Sequence, residues 1–418
     1  MDTEALVYVD LDGTLHLTGH LWAHTRKGRD SAIFEYNREW LLNPSRFSLD
    51  PALPVGPGPF HTLVNKLLFG AMGDSAPDRW GRVLMRRAER RRAEKSGEAP
   101  RTLREIDYLL MVNDEARQGA LRFAAQPGGP FLATNNAVPI PPLVDLPRLL
   151  SATEHVVDES ESDEDLRLLL APGSSLGGAR PKASVRDNDG HLAIAKFPHK
   201  DDDYNAVLWE AVALKLAEKA GIPVAPWRIE AIAGKSTLLI RRFDRRGHIR
   251  IPFLSAMSML GANDNETHSY LEFVDVLRQY GVAPKKDMHI LWRRIVFSVL
   301  ISNTDDHLRN HGFLYTGPDG WVLAPAYDMN PTPTDIKPRV LTTAINLDDS
   351  TASLDLALEV AEYFELATVD ARAIVVEVGQ AVARWRNAAS DVGLTSTEIN
   401  RMASAFDHEE LKAAQSMR

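Results

Sequence analysis

The stretch "VLISNTDDHLRNHGFLY", residues 299–315, decides how this chain is interpreted. An apolar, helix-like segment enters a short polar loop that carries Asp305 and Asn310, and an apolar segment follows. Further along, "LAPAYDMNP" (323–331) places Asp328 at the end of a short apolar strand. Transfer of a phosphoryl group needs a carboxylate beside the attacking hydroxyl, and an amide and a carboxylate that hold Mg²⁺. Asp305, Asn310 and Asp328 supply these groups in that order.

Each polar residue of this loop also has a purely structural interpretation. Asp306 could cap a helix, and Asn310 could occupy a left-handed turn. An Asp and an Asn in one loop, followed by an Asp behind a strand, nevertheless match the spacing of the catalytic loop and the metal-binding aspartate of protein kinases. The order of the three groups therefore favours a nucleotide-dependent phosphoryl transferase.

Upstream, the segment "GSSLGGARPKASV" (173–185) combines a Gly- and Ser-rich turn with a strand. Such a turn offers backbone N–H groups to phosphate oxygens, although many Gly-rich loops are only turns. Lys196 follows in the apolar strand "LAIAKFP" and predicts a nearby anion, because an unpaired buried ammonium is costly. Glu210, on the next helix, is a plausible partner, as in the Lys–Glu pair of protein kinases. A lysine whose charged end reaches solvent from the strand edge is the alternative.

A second motif near the start of the chain resembles a different enzyme class. "ALVYVDLDGTL" (5–15) and "LLFGAMGDSAPD" (67–78) match the nucleophile and magnesium motifs of haloacid dehalogenase-type phosphatases. The intervening residues contain aromatic, hairpin-like strands and a Pro-rich loop in place of the βαβ crossovers that such a parallel sheet requires. Only Lys27 and Lys66 could neutralise a phosphate there. The "DLDG" tetrapeptide is therefore interpreted as a turn between strands.

Composition excludes several other classes. The 418 residues contain no cysteine, which excludes disulfides and thiolate metal sites and fits a cytoplasmic location. No apolar run approaches the length of a membrane span, and no basic-then-apolar leader opens the chain, so no membrane partner is expected. The net charge of −9 argues against general affinity for nucleic acid. The basic run from Arg79 to Lys95 is either a solvated helix face or a surface that meets DNA or an acidic partner.

With these motifs in order, the sequence resembles the HipA family, the kinase components of bacterial type II toxin–antitoxin modules. The resemblance is carried by "SSLGGARPK", "LAIAKFP", "LLIRRFDR", "SNTDDHLRN" and "PAYDMNPTP", and the opening "FEYNREWLL", "GDSAPDRWG" and "RQGALRF" look like its N-terminal subdomain. It implies an α+β, bilobal fold with a β-rich N-terminal subdomain, a mixed N-lobe and an all-helical C-lobe. The expected segments are the N-terminal subdomain (1–125), a linker and acidic helix start (126–170), the N-lobe-like sheet (171–248) and the helical C-lobe (249–418), with the ATP cleft between the lobes.

The resemblance also implies roles for individual residues. Asp305 would be the catalytic carboxylate, and Asn310 and Asp328 would bind Mg²⁺. Ser175, or Ser174 beside it, falls where the family has an autophosphorylated serine, and a phosphate there should repel those of ATP and expel the loop. The ATP-binding set would be Lys196, Glu210, Arg241, Phe243, Asp244, Gly177, Gly178 and His307.

Within that set, Lys196 would bind phosphates and Glu210 would steady it. The backbone around Arg241 and Phe243 would read adenine, and Asp244 would lie near the ribose. Arg241 replaces a hinge residue that is often acidic in relatives, and the following "IPFLSAMSM" is apolar where other members carry acidic and amide residues. These departures leave nucleotide details and substrate docking open.

Functionally, the resemblance implies an ATP- and Mg²⁺-dependent serine/threonine protein kinase with a toxin-like role. Its protein substrate would be an aminoacyl-tRNA synthetase. Its partner would be a helix-turn-helix antitoxin similar to HipB, which would connect the kinase indirectly to operator DNA. The alternative, from a different class, is a catalytically silent, kinase-like co-repressor subunit of such a DNA-binding complex. Incubation with Mg²⁺ and labelled ATP separates the two.

Overall fold

The computed structural model describes residues 2–26, 29–63, 66–134, 140–173, 178–264, 266–318 and 320–417. The chain forms two compact units. The first unit comprises Met1–Asp201 and Glu230–Leu254, and the second unit comprises Asp202–Ile229 and Ser255–Arg418. Each unit combines helices with strands, which confirms the predicted α+β class. The four segment boundaries proposed from the sequence stay a prediction.

A five-stranded sheet opens the first unit, in the spatial order β4-β3-β2-β1-β5. Its pairs β1–β2, β2–β3, β3–β4 and β1–β5 are all antiparallel. The "DLDG" turn joins β1 to β2, with Asp12 and Gly13 both at positive φ, as a tight hairpin turn requires. The predicted turn between strands is therefore confirmed. The hairpin-like strands expected after it are antiparallel as predicted, although β1 and β2 are long, with 10 and 13 residues. The strands are β1 (Asp2–Leu11), β2 (Thr14–Arg26), β3 (Arg29–Tyr36), β4 (Pro59–His61) and β5 (Leu121–Ala124).

Six helices accompany this sheet among the residues of the first unit that the structure describes. The basic run forms the longest of them, which begins after the N-cap residue Asp78 and ends at Gly97 in the left-handed conformation. Trp80 and Leu84 on its apolar face are buried, as an amphipathic helix predicts. The helices are α1 (Arg38–Leu42), α2 (Gly70–Asp74), α3 (Arg79–Ser96), α4 (Glu105–Met111), α5 (Leu146–Val157) and α6 (Asp163–Gly173), and a 3₁₀ turn spans Leu143–Asp145.

A second sheet carries the candidate lysine. It has the order β6-β7-β9-β8, and "NDG" at 188–190 forms the hairpin turn between β6 and β7. Ala183, Ala195 and Leu239 face a core that includes Trp80 and residues of α5 and α6. The strands of this sheet are β6 (Lys182–Arg186), β7 (Leu192–Lys196), β8 (Trp227–Ile232) and β9 (Lys235–Arg241). Three short strands that follow belong to other sheets: β10 (Arg245–Arg246) pairs with β11 (Ile249–Arg250), and β12 (Phe253–Ser255) lies in a third sheet.

The second unit is built around a long buried helix, α10. Trp292 and Ile295 on this helix are fully enclosed, and α9, α11 and α12 pack around it. A separate aromatic cluster joins α7 to the C-terminal helices, with the rings of Trp385 and Phe406 stacked 4.6 Å apart. The helices are α7 (Ala206–Lys219), α8 (Ala256–Met259), α9 (Tyr270–Tyr280), α10 (Pro284–Leu300), α11 (Leu354–Glu359), α12 (Thr368–Val382), α13 (Trp385–Asp391), α14 (Ser396–Arg401), α15 (Ala403–Phe406) and α16 (Glu409–Ser416).

The expectation of an all-helical C-lobe is wrong in one detail. An antiparallel hairpin, β13 (Gly312–Tyr315) with β14 (Trp321–Leu323), lies within the second unit. Its strands are rich in aromatic and branched residues, and Gly317 and Gly320 supply positive φ angles for the turn. Two 3₁₀ turns, Leu308–Asn310 and Ala361–Phe364, complete the unit.

Candidate active site

Lys196 lies at the end of β7, in the first unit. Its Cα is paired with Lys182 of β6 and with Leu238 of β9. Its neighbour Ala195 belongs to the hydrophobic core of the unit. Because side chains alternate along a strand, Lys196 projects from the face of the sheet opposite that core, where its side chain is half-buried. The Lys196 side chain therefore does not pack in the hydrophobic core, and its position suits a cation that binds a ligand.

The Gly-rich loop is described from Gly178 onward. Gly178 has φ +95°, which only glycine adopts readily, and its carbonyl accepts a hydrogen bond from Trp80 N at 3.4 Å. The predicted residues Ser174, Ser175 and Gly177 lie outside the described residues.

The predicted hinge follows β9. Arg241 forms an ion pair with Asp189 in the β6–β7 turn, and Arg242 N donates to Leu192 O at 3.0 Å. Phe243 is half-buried, and its ring centroid lies 6.2 Å from that of Phe253. The hinge backbone is thus held by β7 at one end and by an aromatic contact at the other.

Asp244 lies in a buried network of the first unit. Its carboxylate accepts hydrogen bonds from Arg242 (2.6 and 2.8 Å), from Arg245 (2.8 Å) and from Gly119 N (2.8 Å). Burial alone would raise the pKa of Asp244, but the two guanidinium groups hold it well below its usual range. Its predicted place near a ribose stays a prediction, and in this structure protein donors occupy both carboxylate oxygens.

In the second unit, α10 delivers the candidate catalytic loop. Ser302, at the end of the helix, has φ +53°, which turns the chain sharply out of the helix. Asp305 follows with a side chain that is 68% exposed, and Lys337 Nζ lies 3.6 Å from its Oδ1. Its backbone carbonyl accepts hydrogen bonds from His307 N and from Asn310 Nδ2, both at 3.0 Å. Asp305 therefore presents an accessible carboxylate on a loop closed by backbone contacts.

Asp306 points the other way and is buried. Its Oδ2 accepts from the Tyr270 hydroxyl at 2.5 Å and from Ser298 Oγ at 3.2 Å, and its Oδ1 lies 3.0 Å from His311 Nε2. Burial opposes ionisation of this carboxyl, but His311 and the hydroxyl donors hold its pKa below the ordinary value. The suggestion that Asp306 caps a helix is wrong, because its carboxylate binds side chains from α9 and α10.

Asn310 occupies the last position of a 3₁₀ turn and is buried. The suggestion of a left-handed turn at this residue is therefore wrong. Its amide nitrogen donates to Asp305 O, so its amide oxygen is the atom chemically able to bind a cation. His307 begins the same turn, and its buried Nδ1 has no hydrogen-bond partner among the residues that the structure describes.

The segment after β14 carries Asp328 alongside this loop. The Tyr327 hydroxyl donates to Arg309 O at 2.8 Å, and Asn330 N donates to Asn303 Oδ1 at 3.0 Å. Asp328 itself has φ +57°, an uncommon conformation for a residue with a side chain. Two hydrogen bonds thus connect the segments that carry Asn310 and Asp328.

Glu210 is buried on α7 in the second unit, with 4% of its surface exposed. Its pairing with Lys196 stays a prediction. No group of three or more His, Asp or Glu residues that could hold a metal ion occurs in the described part of the chain. An amide and a carboxylate fit Mg²⁺ even so, because this ion completes its shell with water and phosphate oxygens.

Sequence reasoning missed the groups that hold the loops in place. Tyr270 and Asn303 have no motif that announces them, and each acts through contacts with residues distant in the sequence. Lys182 was visible in "GGARPK", but only the structure shows that it is buried and paired with Asp78.

The basic run on α3 is mostly neutralised within the first unit. Arg82 pairs with Glu105, Arg87 pairs with Glu161, and Lys95 pairs with Asp163. This supports the interpretation of a solvated helix face, while contact with DNA or an acidic partner stays untested. Among the described residues, no helix has both the length and the apolar character that crossing a membrane requires.

Comparisons with known proteins show which family this chain is similar to. The family model described as the HipA-like C-terminal domain matches residues 174–386. The chain is 24% identical over 413 residues to "Putative kinase Y4mE" of Sinorhizobium fredii, covering 88% of this chain and 90% of that protein. A "Putative kinase" of Haemophilus influenzae is 22% identical over 178 residues, covering 37% of this chain and 52% of that protein.

Among solved structures, a chain from the complex of HipA, HipB and operator DNA of the Shewanella oneidensis MR-1 toxin–antitoxin system has the same fold. Its TM-score is 0.67 at 17% identity, with 98% of this chain and 96% of that chain covered. The family model spans residues 174–386, just over half of the chain, and includes Lys196, Asp305, Asn310 and Asp328. The chain therefore belongs to the HipA-like family.

Proposed function

We propose that this protein is an ATP- and Mg²⁺-dependent serine/threonine protein kinase of a toxin–antitoxin module. The observation that carries the proposal is the contrast within one loop: Asp305 is exposed, whereas Asp306 and Asn310 are buried and hold the loop in place. A rigid loop that presents one accessible carboxylate suits a group that orients a hydroxyl for phosphoryl transfer. The relatives that carry the word kinase in their names support the same reaction.

In this proposal Asp305 accepts the proton of the attacking serine or threonine hydroxyl. Lys196 binds phosphate oxygens of ATP, and Glu210 steadies the lysine. Asn310 and Asp328 hold Mg²⁺ through their side-chain oxygens. When bound, the metal would neutralise negative charge on the phosphates. His307, with its enclosed Nδ1, contributes a contact to the nucleotide.

Adenine is read by the backbone around Arg241 and Phe243, which is held in place by the Leu192 carbonyl. We place Gly177 and Gly178 against the phosphates and Ser175, or Ser174, as the site of autophosphorylation. Arg242 and Arg245 already bind the carboxylate oxygens of Asp244. Asp244 can therefore contact the ribose only if its carboxylate accepts from the ribose and from these arginines at the same time.

The biological partners follow from the family. The Shewanella structure contains HipA together with HipB and operator DNA. We propose an equivalent helix-turn-helix antitoxin for this chain, contact with operator DNA through that antitoxin, and a cytoplasmic location. An aminoacyl-tRNA synthetase is the proposed protein substrate.

Incubation with Mg²⁺ and labelled ATP tests the reaction. The wild-type protein should label itself, and Asp305→Ala should reduce the labelling rate by about 10²- to 10⁴-fold, the usual contribution of a general base. Asp335→Ala is a matched control, because that carboxylate is 59% exposed and pairs with Arg401 at 2.7 Å. It should label like the wild type.

Equal labelling of wild type and Asp305→Ala would show that the kinase mechanism is wrong. If the wild type fails to label itself or a synthetase and still represses transcription together with its antitoxin, the protein is the catalytically silent co-repressor. Mass spectrometry of the labelled protein identifies which serine receives the phosphate.

A further inference from the structure

The end of the Gly-rich loop is attached to the start of helix α3 by a buried ion pair. Lys182, the first residue of β6, is only 3% exposed, and its Nζ lies 3.3 Å from Asp78 Oδ2. Asp78 is also the N-cap of α3, since its Oδ1 accepts from Gly81 N at 3.0 Å. One carboxylate therefore caps the helix and binds the lysine at the same time.

Trp80 adds two further links between the same segments. Its indole Nε1 donates to Lys182 O at 3.0 Å, and its backbone N donates to Gly178 O at 3.4 Å. The ring itself belongs to the buried core of the first unit. The described end of the loop is thus bound at both Gly178 and Lys182.

The ammonium of Lys182 lies directly against the loop backbone. A Cβ atom built on Gly178 would stand 3.0 Å from Lys182 Nζ, closer than ordinary van der Waals contact. The glycine at this position therefore allows the loop to pass over the lysine, in addition to permitting the positive φ. The position of the loop and the position of the ammonium depend on each other.

Lys182 also stands opposite Lys196 across the β6–β7 ladder. Directly opposed residues of an antiparallel pair project from the same face of a sheet, and like charges there are destabilising. Asp78 supplies one negative charge beside Lys182. The sheet therefore carries two lysines on one face, one neutralised inside the protein and the other assigned above to the nucleotide.

We propose that Lys182 and Asp78 are positioning residues for nucleotide binding: their ion pair fixes the end of the Gly-rich loop beside Lys196. This inference rests on the proposed function. Without the pair, the loop end would sample more conformations, and binding would have to order it. Lys182 acts through the loop, so its loss weakens affinity for the nucleotide more than it slows the chemical step.

The test compares dissociation constants for Mg²⁺-ATP, measured by calorimetry on the full chain. Lys182→Met and Asp78→Asn should each raise Kd by about tenfold or more, whereas kcat of self-labelling should change by less than about threefold. Asn keeps the helix cap and removes the charge, so Asp78→Asn isolates the ion pair. Lys182→Arg should restore most of the affinity.

Glu105→Gln is the matched structural control. It weakens another ion pair of α3, in which Arg82 donates to both Glu105 oxygens at 2.5 and 2.6 Å, and it leaves Lys182 and Asp78 unchanged. Its Kd should stay within about twofold of the wild-type value, even if its melting temperature falls as far as that of Asp78→Asn. The double variant Lys182→Met/Asp78→Asn should bind about as weakly as either single variant, because both remove one interaction.

The inference is overturned if Asp78→Asn binds Mg²⁺-ATP like the wild type, if Lys182→Arg binds as weakly as Asp78→Asn, or if Glu105→Gln loses as much affinity as Asp78→Asn. Failure of the proposed function gives a different pattern. In that case the wild type does not bind Mg²⁺-ATP, or Lys196→Met binds it with the same affinity as the wild type. Either result contradicts the proposed function and therefore also this inference. The decision does not depend on whether Lys182→Met folds, because the conservative variants Asp78→Asn and Lys182→Arg test the same ion pair.

Discussion

Asp244 of the first unit and Asp306 of the second unit are both buried carboxylates next to residues with proposed roles, and they are compensated in different ways. Guanidinium groups of Arg242 and Arg245 surround Asp244. Asp306 receives two hydroxyl donors and lies beside a single histidine. Two guanidinium groups therefore bind Asp244 directly, whereas Asp306 is bound by two neutral hydroxyls and one histidine, and the buried Arg294 acts on it only electrostatically.

The difference shows what each network can tolerate. Arg242 and Arg245 are two buried cations that share the single carboxylate of Asp244. Their remaining N–H groups donate to backbone carbonyls of residues 115–119. Burial lowers the pKa of Arg117 to about 9 and that of Arg245 well below its ordinary value. Loss of Asp244 would leave buried cations uncompensated, which costs more than leaving neutral donors unpaired. The hinge should thus be the more sensitive of the two regions.

The largest effect is expected from Asp244→Ala. We expect it to lower the free energy of unfolding by about 3–5 kcal/mol, because it breaks a buried ion network from one side. Urea denaturation measures this value. Arg246→Ala removes a pair with Asp12 in which the side chains are 73% and 80% exposed, and it should cost less than about 1 kcal/mol. A loss of under 1 kcal/mol for Asp244→Ala would abolish the distinction between the two networks.

A smaller loss is expected from Asp306→Ala, about 2–3 kcal/mol, since it leaves Tyr270 and Ser298 without their shared acceptor. Self-labelling should also slow, because the loop that carries Asp305 and Asn310 loses its buried attachment. Asp305→Ala provides the contrast within the same loop: it should reduce the labelling rate by about 10²- to 10⁴-fold and leave the unfolding free energy within about 0.5 kcal/mol of the wild-type value. If both variants lose stability equally, Asp306 has no special positioning role.

The sequence predicted the local features well. The "DLDG" turn follows from turn chemistry, and the helix that carries Glu210, α7, follows from periodicity, and both act between neighbouring residues. Asp305, Asn310 and Asp328 lie in two short motifs, so their order along the chain could also be recognised from the sequence. These features needed no knowledge of the tertiary fold.

The supporting contacts could not be predicted in the same way. The Asp306 carboxylate meets a hydroxyl from Tyr270, and Lys182 meets Asp78 more than a hundred positions away. Such pairs depend on which elements the fold brings together. The run "RRFDRR" (241–246) looks like exposed charge in the sequence, yet Arg242, Asp244 and Arg245 are buried. Only packing distinguishes a surface arginine from one that donates to enclosed carbonyls.

The smallest expected effect is a pH dependence of the unfolding free energy, which arises from His408 in the second unit. Burial and nearby Arg339 lower the pKa of His408 from 6.5 to about 4, so the folded second unit favours the neutral ring. Its Nδ1 accepts from Leu411 N at 3.3 Å and its Nε2 lies 3.1 Å from Leu300 O, as one neutral tautomer allows. The unfolded chain therefore binds a proton first as the pH falls. The stability that His408 contributes is complete above pH 6.5 and is lost towards pH 4.

Replacing His408 with Asn keeps a side chain that can cap α16 and removes the titration. Unfolding by urea between pH 8 and pH 4 should show the wild type losing about 1 kcal/mol more than His408→Asn, a modest value because the ring is partly exposed. The guanidinium neighbours hold the pKa of Asp244 well below its usual range, so its carboxylate stays ionised in the folded protein over this range and Asp244→Ala should lower the curve at every pH above about 5. Parallel curves for wild type and His408→Asn would show that this acid sensitivity of the second unit arises from other groups.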